Sequence, residues 1–419
     1  MQPVPEPSTS LSSAVRTTSQ RRPDHIEEIL MAEAVIVSTA RTAIGRTRKG
    51  SLVGLDAFEL AEAVVPAALE RGGVPAADVD DVVLAESYQG GGVIARNIAV
   101  RLGLFNASGA ATNRHCAGGL TAVSIAAGSI RAGMDRVVIA GGTESLTNAA
   151  RSSKRDATGE YQPWMAPSHP ETPEAPAFDM SITVGENTAR EMGLTRRDVD
   201  EWTVYTHERA LASIDSGAFV DEIIPLDVTL PDGTTKRFDT DEHPRRGTTL
   251  ERLATLPLLH PELPNATVTA ANAAGLNDAA AAVTLTSDDY AATHGLTPLA
   301  RIRSWATAGI EPALTGLAPT LAIPRALDRA GLALADIDLF EINEAFCSVP
   351  VAAVRKLGIR PEIVNVNGSG ASLGHPIAAT GARMVVTMVG ELRRRGASLG
   401  CVSMCAGGGM GAAMIIEIV

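Results

Sequence analysis

A cysteine stands in the stretch Asn113-Arg114-His115-Cys116-Ala117-Gly118-Gly119-Leu120-Thr121-Ala122-Val123, between a polar lead-in and a run of small residues. Gly118 and Gly119 let the backbone turn tightly and approach a ligand closely. Residues Thr121 to Ile130 read as a buried, Ala-rich helix, which places Cys116 at or just before a helix N-terminus. Unpaired backbone N–H groups and the helix dipole favour a thiolate there and are expected to lower the thiol pKa. On these residues alone Cys116 is either a nucleophile or a packed structural thiol, the commoner fate of a lone cysteine.

Three further stretches carry chemistry-bearing groups in loops. Glu341-Ile342-Asn343-Glu344-Ala345-Phe346 packs polar groups at the end of an apolar strand, where open α/β sheets bind ligands. Asn367-Gly368-Ser369-Gly370-Ala371-Ser372-Leu373-Gly374-His375-Pro376 sets a histidine after a glycine-rich loop and before a helix. Cys405-Ala406-Gly407-Gly408-Gly409-Met410-Gly411 sets a second cysteine at a strand end, followed by free backbone donors. Each has a plain structural reading: a capping histidine, a helix cap at Asn343-Glu344, a tight glycine turn, an inert thiol. Their joint occurrence at strand ends favours a shared site. No CxxC or HxxxH pair is present, which argues against a metal centre.

These loops need a scaffold, and the apolar patterning supplies one. Ala34 to Ala40, Val82 to Ala85, Arg136 to Gly142, Ala300 to Ala306, Asp338 to Ile342, Leu399 to Met404 and Ala412 to Val419 read as strands. Asp56 to Arg71, Thr121 to Ile130, Leu321 to Ala330 and Ala378 to Arg394 read as helices. The alternation predicts an α/β chain with a mainly parallel sheet covered on both faces. Between about Ala149 and Pro264 the rhythm breaks, and Pro, charge and aromatic content rise around an amphipathic helix from Arg196 to Asp215. This segment is expected to form an inserted lobe, where binding loops commonly lie. Each flanking half holds a strand, a reactive-looking loop, a small-residue helix and a strand ending in Gly-Gly, at Gly141-Gly142 and at Gly407-Gly408. That pairing hints at an internal duplication.

Bulk properties bound the function. The chain has 419 residues, 45% of them hydrophobic and 20% charged, with a net charge of −12. That is a globular composition with no basic run for nucleic acid or an anionic membrane. Four cysteines do not make a disulfide framework, and a reducing cytoplasm is the expected compartment. No apolar run reaches ~18 residues, so no membrane span is expected. Residues 1–30 are rich in Pro, Ser and Thr without the apolar segment of a secretory signal; they read as a disordered leader.

The sequence after the leader resembles the thiolase family. The likeness runs from Ala34 to Val419 and rests on the nucleophile loop around Cys116, Asn343-Glu344-Ala345-Phe346, Gly374-His375-Pro376 and Cys405-x-Gly-Gly-Gly-Met-Gly. It implies a duplicated thiolase fold of two α/β halves stacked in five α-β-α-β-α layers. Residues 31–148 and 265–297 would form the first half, 149–264 a loop domain covering the site, and 298–419 the second half. It implies that Cys116 takes an acyl group as a thioester, that His375 deprotonates it, and that Cys405 is a second acid/base at the α-carbon of acetyl-CoA. One oxyanion hole would use Asn343, through a water, with His375, and the other the N–H groups of Cys116 and Gly407. Acyl-CoA, acetyl-CoA and CoA would be the substrates, with no further cofactor, and the chain would form a homodimer or homotetramer. Met180 and Ala274 would meet the acyl and pantetheine parts. Lys236, Arg237, Arg245 and Arg246 are candidates for the CoA phosphates, since an acidic protein must place positive charge locally.

This chain departs from the family pattern in places. Ala43 replaces a usual proline, Ala274 a common serine, and Cys-Ala-Gly-Gly-Leu the commoner Cys-Gly-Ser-Gly-Leu. None of these changes removes a reactive group. A related condensing enzyme would pair its cysteine with two histidines, or with His and Asn, and would lack Cys405. A silent CoA-carrying protein would bind CoA without becoming acylated.

Overall fold

The computed structural model describes residues 32–89 and 91–419. The expected leader over residues 1–30 lies outside the described residues.

The first half runs β1 (Ala34–Thr42), α1 (Ala57–Gly72), β2 (Asp81–Ala85), α2 (Ile94–Arg101), β3 (Ala110–Thr112), α3 (Gly118–Arg131) and β4 (Val137–Ser145). After the inserted segment, which contains α4 (Arg196–Asp215), β5 (Asn277–Ser287) completes its sheet. The second half runs β6 (Ala300–Gly309), α5 (Pro319–Ala330), β7 (Leu339–Ile342), α6 (Ser348–Leu357), α7 (Ile377–Arg395), β8 (Leu399–Ala406) and β9 (Met410–Ile418). The strands lie in the order β7-β8-β9-β6 and β1-β5-β4-β2-β3. The two groups meet edge to edge through Val35↔Arg301 and Ile36↔Ala300. Matching β2-β4-β5-β1 with β7-β8-β9-β6 makes the duplication explicit, with α3 and α7 as equivalent helices.

The sheet is mixed, not mainly parallel. β5 runs antiparallel to both β1 and β4, and β9 antiparallel to both β6 and β8. β9 returns directly from β8 through the Gly407–Gly409 turn, and a direct return must be antiparallel. Gly141 and Gly142 also sit differently from expectation. They lie inside β4, opposite Ala282 and Ala281, and the strand continues to Ser145.

Strand alternation sorts the core into layers. Val137 and Ile139 of β4 face α1 with Leu60 and Val64. Val138 and Ala140 face the opposite way, toward α3 and α7, with Leu120, Val123 and Val385. Phe340, Ile342 and Ile415 pack on the outer face of the second sheet against Ile323 of α5 and Val349 of α6. The order is therefore α, β, α, β, α, with α3 and α7 enclosed at the centre.

The inserted segment is clamped to this core by charge. Arg41, fully buried at the end of β1, donates to both oxygens of Asp241 at 2.8 Å and to Glu222 at 2.7 Å. Asp241 also accepts from the Ile44 N–H, and Glu222 from the Thr387 hydroxyl on α7. Buried charges persist only when paired in this way.

α3 and α7 cross at glycines. A methyl group on Gly381 would lie 2.3 Å from the Leu120 nitrogen, and one on Gly119 would lie 2.7 Å from the Ala382 nitrogen. Both contacts are with backbone, which cannot swing aside. Gly381→Ala is therefore expected to lose about 1–3 kcal/mol and to lower activity by prising apart the two helices. Urea unfolding of the variant beside wild type checks this; an unchanged midpoint would show that the crossing is not tight.

Candidate active site

Cys116 lies two residues ahead of α3, on a turn where the Ala117 and Gly118 N–H groups donate to the carbonyls of Arg114 and His115. The helix-end placement is as expected, but its effect on the thiol is overridden. Burial pushes Cys116 up to about 11, against the N–H groups of Gly407 and of Cys116 itself, and the nearby Glu144 charge adds to the rise. Desolvation here exceeds what a helix terminus can offset. The resting group is a thiol, and it requires a base.

His375 stands just before α7. Its N–H donates to Asn277 Oδ1 at 3.0 Å. Its Nδ1 lies 2.7 Å from Thr380 Oγ1, and that hydroxyl donates its hydrogen to the Pro376 carbonyl at 2.8 Å. The hydroxyl is thereby an acceptor toward the ring, so Nδ1 carries the proton and Nε2 holds a lone pair. Nε2 is buried without a hydrogen-bond partner among the described residues. Burial, with the Arg383 charge second, holds the imidazole down at about 4, so it is neutral across the physiological range.

Cys405 occupies the penultimate position of β8 and is almost fully buried. Burial, reinforced by the neighbouring Cys116, holds its thiol far above the ordinary range. The Gly407 N–H, just past the strand, is directed at the Cys116 sulfur. Asn343 follows β7 with its backbone fixed by the Ser403 carbonyl at 2.9 Å. Its side chain is fully buried, and neither Oδ1 nor Nδ2 has a partner among the described residues. An unpaired buried amide is costly and marks a place built for something else to bind. Glu344 beside it is instead structural. It accepts from Trp202 at 2.9 Å, Thr206 at 2.9 Å and Asn365 at 2.7 Å, tying α4 to the loop.

A cavity of about 220 Å³ brings together Cys116, His375, Cys405 and Gly407, with Met180 and Ala274 on its wall. Asn343 is not among its lining residues, although Ala345 and Phe346 are. Ala274 leaves that wall without a hydroxyl. A separate pocket of about 300 Å³ is lined by His207, Arg245, Arg246, Thr248, Arg252 and Ala271. Arg246 is paired with Asp215. Lys236 lies outside both cavities, donating to Ser51 Oγ at 3.0 Å and packing over Phe238. Arg237 pairs with Asp239 at 3.5 Å.

Sequence reasoning missed the groups that aim these residues. Asn277 and Thr380 orient His375, and neither type is conspicuous beside the motifs. Glu144 is buried in β4 and accepts from the Ala378 N–H at 2.9 Å, seating the start of α7. Burial lifts its carboxyl to about 7. Gly142 is needed because α7 comes so close, a methyl there lying 2.1 Å from the Ala378 carbonyl, whereas a methyl on Gly141 would meet the Ala281 carbonyl of β5 at 2.1 Å. Arg252, on the short helix Leu250–Ala254, was also missed, and no sequence signal marks it.

The fold and the sequence have counterparts among known proteins. Residues 34–289 match the model of the thiolase N-terminal domain, and residues 296–418 that of the thiolase C-terminal domain. The chain is 41% identical over 404 residues to the acetyl-CoA acetyltransferase of Escherichia coli, covering 92% of this chain and 99% of that one. It is 38% identical over 403 residues to the 3-ketoacyl-CoA thiolase of Bacillus subtilis, covering 93% and 100%. Among solved structures, the Bacillus anthracis acetyl-CoA acetyltransferase superposes with a TM-score of 0.84 at 36% identity, covering 93% of this chain and 99% of that one.

The protonation states can be checked directly. With Cys116 held up at about 11, alkylation by iodoacetamide in the ligand-free protein is expected to climb roughly tenfold per pH unit from about pH 8 to 10. Peptide mass mapping confines the readout to Cys116. A plateau already reached near neutrality would mean a preformed thiolate–imidazolium pair and would contradict the neutral pair.

Proposed function

This chain belongs to the thiolase family, and from that premise we propose that it forms or thiolytically cleaves 3-ketoacyl-CoA through an acyl-cysteine at Cys116. The observation that carries the reading is the unpartnered, proton-free Nε2 of His375, in a histidine that shares one cavity with the half-buried Cys116 thiol and the buried Cys405 thiol.

In the cleavage direction Cys116 Sγ attacks the 3-keto carbonyl, and its proton passes to His375 Nε2. The bond between the α-carbon and the 3-carbon breaks, leaving the acyl group on Cys116 and an acetyl-CoA enolate. The Cys405 thiol gives its proton to that α-carbon, for which its protonated resting state is suited. CoA thiol then gives its proton to the Cys405 thiolate and attacks the acyl-cysteine. Cys116 leaves, recovering its proton from His375, and each group is restored. Condensation is the same path reversed. The covalent intermediate replaces one difficult step by two easier ones.

Negative charge develops on a thioester oxygen in both halves. We assign one oxyanion site to the N–H groups of Cys116 and Gly407. The other is assigned to His375 with a water held by Asn343, whose unpartnered amide supports that role. CoA thioesters are the substrates, and no other cofactor is assigned. Arg245 and Arg252, in their pocket beside Ala271, are the candidates for the CoA phosphates, with Arg246 weakened by its pair to Asp215. The exposed Phe105 and Met134, together with the short edge strand β3, support a homo-oligomer.

Two variants separate the half-reactions. Cys116→Ala is expected to abolish the covalent acetyl adduct formed with acetyl-CoA, as read by intact mass. Cys405→Ala is expected to keep that adduct while losing carbon–carbon cleavage. A wild-type protein that gains no acetyl group on Cys116 would sink the assignment. Asn343→Ala is expected to lower kcat on the order of 10²–10³-fold, the cost of one oxyanion donor, with a smaller change in KM.

A further inference from the structure

The turn that carries the Gly407 N–H has no side chains of its own to hold it. The ladder between β8 and β9 ends at Ala406↔Met410, and residues 407–409 are all glycine. Gly408 and Gly409 take left-handed backbones, at φ 86° and 76°. Glycine ranges over more of backbone space than any other residue. The direction of an N–H within such a run is therefore set by what the turn leans on.

Two elements press against it. In the inserted segment the Ser168 carbonyl lies 2.6 Å from where a methyl on Gly408 would stand. In the second half, the connection between β6 and α5 grips Gly409 at both of its backbone groups. The Ile310 N–H donates to the Gly409 carbonyl at 2.8 Å, and the Gly409 N–H donates to Thr315 Oγ1 at 3.0 Å. Thr315 is fully buried. Its hydroxyl donates its own hydrogen to the Pro312 carbonyl at 2.7 Å, which leaves the oxygen as an acceptor toward Gly409. The anchor is itself fixed. The Ala318 N–H donates to the Thr315 carbonyl at 3.1 Å, and a methyl on the next residue, Gly316, would lie 1.9 Å from Thr188 Oγ1. Thr315 does not line the catalytic cavity, so it can act there only through the turn.

We propose that Thr315 is a positioning residue for the oxyanion site: its hydroxyl holds the glycine turn so that the Gly407 N–H stays aimed at Cys116 and at the oxygen that becomes negative beside it. The inference rests on the oxyanion assignment above and names the group on which that donor depends. One N–H serves two states. On the resting sulfur it favours the thiolate, and on the thioester oxygen it stabilises charge as it forms. A turn that loses its anchor therefore impairs thiol reactivity and turnover together.

The test compares the full chain with three variants. Thr315→Val keeps the shape and removes the acceptor, Thr315→Ala removes it without β-branching, and Thr315→Ser keeps it. Alkylation of Cys116 by iodoacetamide at pH 9 is followed by peptide mass mapping, thiolysis by kcat and KM, and folding by urea unfolding. Thr315→Val is expected to alkylate roughly threefold more slowly, through a weakened hydrogen bond to the thiolate. Its kcat is expected to fall about tenfold, part of the cost on the order of 10²–10³-fold of losing a donor outright, with KM within about twofold. Thr315→Ala is expected to match it, and Thr315→Ser to stay within about twofold of wild type throughout. A merely structural role would lower the urea midpoint of the valine and alanine variants while their folded fraction alkylates and turns over as wild type does, and that result would overturn the proposal. So would a serine variant as impaired as the valine one, since the hydroxyl would then not be the anchor. A wild-type protein that gains no acetyl group from acetyl-CoA would remove the acyl-cysteine reading instead, and the alkylation rates would still decide whether Thr315 aims the N–H at Cys116.

Discussion

The close crossing of α3 and α7 is the constraint from which the site follows. Two helices from the two halves of the chain lie at the centre of five layers, and their contact is backbone on backbone at Gly119 and Gly381. A crossing that tight leaves one arrangement of the two N-termini. Cys116 precedes one helix and His375 the other, so the distance between thiol and imidazole is set by packing deep in the core. Glu144 takes part from the adjacent strand, holding the first turn of α7 by the Ala378 N–H. The His375 imidazole is thus aimed by three contacts of different kinds: the glycine crossing, the Glu144 carboxylate and the Asn277 amide.

Enclosure at the core then decides the protonation states. Cys116, Cys405 and His375 are all pushed toward their neutral forms by burial. A helix N-terminus offers a few tenths to about 2 kcal/mol to a negative charge, which desolvation exceeds. Both thiols therefore rest as proton donors beside an imidazole whose lone pair is free. In the proposed reaction charge appears only when substrate has displaced solvent and the backbone N–H groups are already in place. Such preorganised donors pay little reorganisation at the moment of charge formation.

Much of this was legible in the sequence. The cysteine and histidine loops, the helix over Arg196–Asp215 and most outer strands follow from apolar period and glycine placement. β5 was not recognised, and its composition explains why. Ala279 to Ala282 form a run of good helix formers, yet β1 and β4 flank it on both edges, and its small residues admit α1 on one face and α7 on the other. Tertiary packing overrode propensity. Missing that strand made the sheet look mainly parallel. Gly141-Gly142 differ from expectation for a related reason: glycine in a strand commonly signals a turn, and here Gly142 admits the close approach of α7 and Gly141 that of the β5 backbone. The thiol pKa was misjudged because burial is a property of the whole fold, while a helix terminus is visible locally. The basic residues were hardest to sort, since Arg246 and Arg237 look like Arg245 until their carboxylate partners are seen.

The duplication also divides the labour. The core supplies both reactive loops, one from each half at equivalent helix starts, and neither half contains a complete site. The inserted segment brings Met165, Ala166, Phe178 and Met180 to the wall of the cavity that holds Cys116. That segment must be precise enough to shape a cavity, although part of it is a fully exposed hairpin. The buried Arg41–Asp241–Glu222 cluster meets this requirement. It fixes the segment to β1 through the Arg41 guanidinium, whose hydrogen bonds are directional, and to α7 through the Thr387 hydroxyl that donates to Glu222. Removing one partner would strand a buried charge, so the covering lobe and the catalytic core are held in one register.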